Sequence, residues 1–204
     1  MNFRYLLIGL IIGLSIAAPV GPIGVLCIRR TLAEGRIFGL VSGLGAATAD
    51  AFYGSIAGFG LTFISNILVG YQVWLRLLGG LFLINLGIVT LLSRPTEKIK
   101  TTQGNGLIAA YGSTLILTLT NPTTIISFVA IFSGLGLIST SKNYVSAGIL
   151  VFGVFIGSAL WWIILSSGVS LFQEKFNNRG MLWVNRISGA IIICFGIFAL
   201  ISII

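Results

Sequence analysis

Residues 5–28, YLLIGLIIGLSIAAPVGPIGVLCI, contain no charged side chain. A stretch of that length can cross the hydrocarbon core of a bilayer, which takes roughly 20 apolar residues as a helix. Five more runs follow, at residues 37–63, 73–92, 107–137, 144–172 and 183–204. Lipid offers no partner to a backbone N–H or C=O, so each run must satisfy its own polar groups by folding as a helix. The expected fold class is therefore an all-α integral membrane protein with six transmembrane helices. Composition agrees, with 56% hydrophobic and 8% charged residues among 204 and a mean hydropathy of +1.08. That is too little charge to cover a soluble domain. The first run also continues past the length of a signal-peptide core, and so reads as a span.

The net charge of +8 comes from 12 basic and 4 acidic residues. In a soluble chain this excess would suggest nucleic acid. Here the cations fall between apolar runs, which points to lipid headgroups and membrane topology and excludes a nucleic-acid partner. Arg29, Arg30, Arg36, Arg94, Lys98, Lys100, Lys175, Arg179 and Arg186 flank the odd-numbered connections, against Arg4, Arg76 and Lys142 on the other side. The odd connections are expected to be cytoplasmic and both termini outside. The chain has no histidine, the commonest metal ligand and proton shuttle. Cys27 and Cys194 are isolated thiols without a Cys-x-x-Cys pair, and read as packing residues. There is no Gly-x-x-x-x-Gly-Lys-Ser/Thr loop and no serine–histidine pair. No enzyme, metal centre or cofactor is expected.

The spans themselves are interrupted. Pro19 and Pro22, with Gly21 between them, lie near the middle of the first run, and Asn121-Pro122 near the middle of the fourth. Proline inside a helix lacks the N–H that would bond the carbonyl four residues back, freeing those of Ser15, Ala18 and Thr118. Beyond each break a half-helix begins, so the N–H groups of Ile23 and Gly24, or of Thr123 and Thr124, present the positive end of a dipole at the membrane centre. A simple proline kink is the bland alternative for either break. Two breaks in corresponding positions favour two inverted three-helix repeats, about 1–92 and 107–204 across a connection at 93–106, within one membrane domain.

Asp50 is the only acidic residue within any run. An ionisable group at that depth costs about 2.5–3.5 kcal/mol on insertion scales, so it reads as functional, with a structural hydrogen bond as the alternative. Ser42, Ala46, Asp50, Gly54 and Gly58 form one helical stripe, with Gly39 and Gly43 beside it, turning Asp50 toward protein or a water-filled cavity. Thr118, Thr120, Asn121, Thr123 and Thr124 crowd the second break, able either to satisfy freed backbone or to bond a polar solute. Trp161 and Trp162 lie in mid-span; packing is the plainer reading, with a cavity wall as the alternative. Gly153 and Gly157 give the fifth helix a small-residue face.

The segment APVGPIGVLCIRRTLAEGR, running on to GLGAATADAFYG, resembles the LysE family of amino-acid exporters. The likeness extends to Asn121-Pro122 and to GSALWW in the fifth run, and covers nearly the full length. The resemblance implies a small six-span protein of the plasma (inner) membrane. It assigns Pro19, Gly21 and Pro22 to a proline–glycine–proline signature, Asp50 to an acidic site, and Asn121 with Pro122 to a second-half signature. This chain spells Pro-Val-Gly-Pro where the shorter form is Pro-Gly-Pro, which warns against copying a substrate from better-known members.

The expectation is a gradient-driven exporter of amino acids or related small zwitterions. Its expected substrate-binding residues are Pro19, Gly21, Pro22, Gly24, Asp50, Thr120, Asn121, Pro122 and Thr123, with Asp50 also coupling to a proton. Membrane lipids surround it, and a homodimer fits its small-residue faces. The rivals are a cation exporter or channel using Asp50 and freed carbonyls, a thiol oxidoreductase joining Cys27 and Cys194, and an accessory subunit.

Overall fold

The computed structural model describes residues 2–19, 21–59, 71–93, 103–121, 124–125, 127–128, 131, 144–172 and 178–201. Among these the regular structure is helical throughout. Seven helices follow in chain order: α1 (Asn2–Ala17), α2 (Pro22–Glu34), α3 (Arg36–Gly58), α4 (Gln72–Leu92), α5 (Gln103–Leu119), α6 (Tyr144–Ser170) and α7 (Asn178–Ile201). Val73–Leu92, Tyr144–Ser170 and Arg179–Ile201 are each long and apolar enough to cross a membrane. α1 and α2 together make a further candidate, but they are bent by 79° at the break. Gly106–Leu119 is apolar but shorter.

Two expected boundaries move. The first run was expected to end at Ile28, with Arg29 and Arg30 in a loop. Instead α2 continues through both arginines to Glu34. Burial of these cations is offset by acceptors on neighbouring helices. Arg30, 9% exposed, donates to Ser42 Oγ at 2.8 Å, Ala110 O at 2.9 Å and Ser113 Oγ at 2.8 Å. Arg29 donates to Asn185 Oδ1 and Ser93 Oγ, each at 3.1 Å, and lies 3.7 Å from Glu34. The polar connection 93–106 is also shorter than expected, because α5 opens at Gln103 despite Gly104 and Gly106. The connections around Ser65-Asn66 and at 173–177 fall outside the described residues.

Small residues decide which helices touch. α1 lies along α6, where Gly9 and Gly13 meet the backbone of Leu150 and Val154, and Gly153 and Gly157 meet the backbone of Leu6 and Leu10. α4 lies along α7 through Gly80, Gly87, Gly189 and Gly196. α3 packs against both α5 and α6, with Gly45 facing Tyr111 and Thr114, and Gly54 facing Val154. Lipid tails are as apolar as leucine, so burial alone gives such helices little reason to associate, and close backbone approach supplies the attraction. Large apolar side chains such as Ile11, Trp74, Ile108, Phe152, Ile164 and Trp183 point outward. That distribution suits a hydrocarbon solvent and would be a liability in water.

Candidate functional site

The two breaks differ in how they are built. At the first, Pro22 opens α2 at a position where a missing N–H loses nothing. Gly21 precedes it in extended conformation and has no side chain to cap the helix. The first α2 backbone bond with Gly21 runs from Val25 N–H to Gly21 O, at 3.0 Å. At the second, the Asn121 N–H donates to Thr118 O at 3.2 Å. The Asn121 carbonyl then accepts from Thr124 at 3.1 Å and Ile125 at 3.3 Å, and Thr124 and Ile125 are helical again. Asn121 thus closes one helical segment and starts the next.

Both breaks open on one cavity of about 520 Å³. Pro19, Gly21, Pro22 and Gly24 line it from the first break, and Thr118, Thr120, Asn121 and Thr124 from the second. α3 adds Ala46 and Asp50, α6 adds Trp162, and α7 adds Phe195, Phe198 and Ala199. α4 contributes Arg76, Gly79, Gly80 and Leu83. Their spacing of three, four and seven residues from Arg76 marks a single face of that helix. The volume falls within the range of small-molecule sites, and the mostly apolar wall with a few polar groups is their usual character. Of the nine residues expected to bind substrate, the structure brings seven together here; Pro122 and Thr123 lie outside the described residues.

Asp50 is 4% exposed, and its setting is specific. Ser158 Oγ donates to Asp50 Oδ2 at 2.7 Å, and Trp162 Nε1 donates to Ser158 Oγ at 3.2 Å. The indole fits because Gly43 has no Cβ; one there would overlap the Trp162 ring. Gly43 on α3 therefore admits the chain of donors that holds the carboxylate. Tyr53, one turn further along α3, donates its hydroxyl to the Leu119 carbonyl and ties α3 to the second break. The threonines at that break are largely occupied by backbone. Thr118 Oγ1 donates to Thr114 O at 2.8 Å and Thr120 Oγ1 to Ile116 O at 2.9 Å. Trp162 both packs and lines the cavity, whereas Trp161 packs against the core beside it.

No binding or positioning role is legible in the sequence for Ser158, Arg30 or Arg76. Ser158 stands within GSALWW, and no spacing marks a serine as the partner of an acid on another helix. By its place in the sequence Arg76 counts only as a topology cation. Its face with Gly79, Gly80 and Leu83 was the available signal. Among the described residues no group of three or more His, Cys, Asp or Glu could hold a metal ion. Cys27 is buried, Cys194 is exposed, and they form no disulfide.

Comparison with known proteins gives this arrangement a context. A protein of Bacillus subtilis strain 168 named "Putative amino acid efflux protein YcgF" is 27% identical over 194 residues, covering 93% of this chain and 91% of that one. "Uncharacterized membrane protein YahN" of Escherichia coli K12 is 29% identical over 178 residues, covering 85% and 77%. "Uncharacterized membrane protein slr1627" of Synechocystis is 25% identical over 182 residues, covering 85% and 84%. No solved structure matches the chain significantly. The family model for the LysE type translocator matches residues 14–203, nearly the whole length. The chain belongs to the LysE type translocator family, and is a membrane transporter and not an enzyme.

Proposed function

We propose that the protein exports amino acids or related small zwitterions across the plasma (inner) membrane, driven by the membrane gradient. The observation that carries this reading is the cavity in which two helix breaks and a buried carboxylate converge. The uncapped start of α2 at Pro22 offers backbone N–H groups and a positive dipole end to a substrate carboxylate. The break at Asn121 supplies the matching element from the other half. Asp50 accepts the substrate ammonium, or exchanges it for a proton. The amino acid efflux named for the Bacillus relative supports the same substrate class.

Alternating access follows from a six-span unit of two inverted three-helix halves rocking about the site. The first half is α1 with α2, then α3 and α4; the second is α5 with the helical residues beyond Asn121, then α6 and α7. The helix contacts support this pairing. Exchanging the halves turns the α1–α6 contact into the α5–α3 contact, while α3–α6 and α4–α7 map onto themselves. Among the described residues these four are the most extensive helix–helix contacts.

The test is Asp50→Asn in proteoliposomes loaded with labelled amino acid and given an imposed proton gradient. Gradient-driven efflux should fall to the background of empty vesicles while binding of the protein to the membrane is unchanged. Undiminished, proton-coupled efflux in the variant would remove Asp50 from the mechanism.

A further inference from the structure

The cavity holds a second full charge that the export reading leaves unused. Among the described residues, Asp50 and Arg76 are the charged side chains in its wall, one acid and one guanidinium on helices α3 and α4. Arg76 sits on the face of α4 that it shares with Gly79, Gly80 and Leu83, all three lining the same cavity. Gly79 keeps that face close to the second break, since a Cβ there would lie 3.0 Å from Thr120 O. The guanidinium-bearing side chain is thus held on the cavity side of a closely packed helix, opposite in sign to Asp50.

Resting on the export reading, we propose that Arg76 receives the carboxylate of the substrate, and that the cavity selects net-neutral zwitterions. A guanidinium binds a carboxylate through two parallel N–H bonds, a geometry that a helix N-terminus alone does not provide. With Asp50 facing the ammonium, one acid and one base in the wall meet one base and one acid in the ligand, so the loaded cavity is neutral. A cationic amino acid brings a third charge with no counterpart among the described wall residues. An unpaired charge against a mostly apolar wall is costly, so such a ligand is disfavoured. The rest of the wall, including Leu83, Leu117, Phe195 and Phe198, suits an apolar side chain.

The experiment uses the full chain in proteoliposomes with three probes: L-leucine, L-leucinamide, which lacks the carboxylate, and L-lysine. The wild-type protein should favour leucine over both others by at least about tenfold in kcat/KM, the loss expected for one missing charge-assisted bond. Arg76→Gln should raise KM for leucine about 10- to 100-fold, with Arg76→Lys recovering part of the loss, and should improve leucinamide, because the leucinamide-loaded cavity then carries no net charge. Leucinamide transport by the variant also reports that it is folded. Equal handling of leucine and leucinamide by the wild type, which needs no variant, would overturn the proposal, as would an unaffected leucine KM in Arg76→Gln. A wild-type preference for lysine would overturn the net-neutral selection. Movement of none of the three probes by the wild type would overturn the export reading itself, and this proposal with it.

Discussion

Replacing Gly157 by alanine adds a single methyl group at the line where α1 and α6 touch. A Cβ at this position would overlap the Leu10 carbonyl oxygen, and would lie 2.9 Å from the Leu10 carbonyl carbon and 3.0 Å from its Cα. These are main-chain atoms, which cannot rotate away as a side chain can. Carbon contacts settle near about 3.5–4.0 Å, so the two helices must part by roughly 0.5–1 Å. A gap of that size forfeits about a quarter to a half of the attraction in each contact along the seam. Overpacking of this kind costs about 1–3 kcal/mol. Gly148 is the internal control, because it lies on the same helix and a Cβ there meets nothing within 4 Å. Both substitutions gain the same helix propensity, about 1 kcal/mol in magnitude, so the difference between the variants isolates the contact. Reversible unfolding in mixed micelles should find Gly157→Ala about 1–3 kcal/mol less stable than Gly148→Ala. Equal stability of the two, within about 0.5 kcal/mol, would refute close approach as the basis of the α1–α6 pairing.

Ser158→Ala removes the hydroxyl that donates to Asp50, and should cut the initial efflux rate about tenfold in vesicles, while Ser158→Thr retains most of it. Gly35 has φ 106° and ψ 166°, a region open essentially to glycine alone. Gly35→Ala should therefore destabilise the protein by about 1–3 kcal/mol in the same unfolding assay, despite alanine being the better helix former.

What could be read from the chain was whatever lipid forces into the open. Apolar runs of spanning length must be helices even where a single charge interrupts them, so α3, α4, α6 and α7 lie where the runs predict them. Asp50 stood out because nothing else in a span carried negative charge. Proline and glycine marked the first break, since they disturb the ladder wherever they stand. Partnerships across helices left no such mark. Ser158 looks the same in sequence whether it faces a carboxylate or a neighbouring backbone. Arg30 follows an apolar run, and a charge usually ends such a run; three acceptors on α3 and α5, 12 to 83 residues away, reverse that outcome. The 79° turn between α1 and α2 was equally hidden, for a pair of prolines fixes where a helix stops but not the direction in which the next one leaves.

The junction at Gly35 has a mechanical corollary. One residue separates the end of α2 at Glu34 from the start of α3 at Arg36. So short a joint stores no slack. Any swing of the α2 arm away from the cavity must be delivered as torque on α3, the rod that carries the buried acid, instead of being dissipated in a pliant tether.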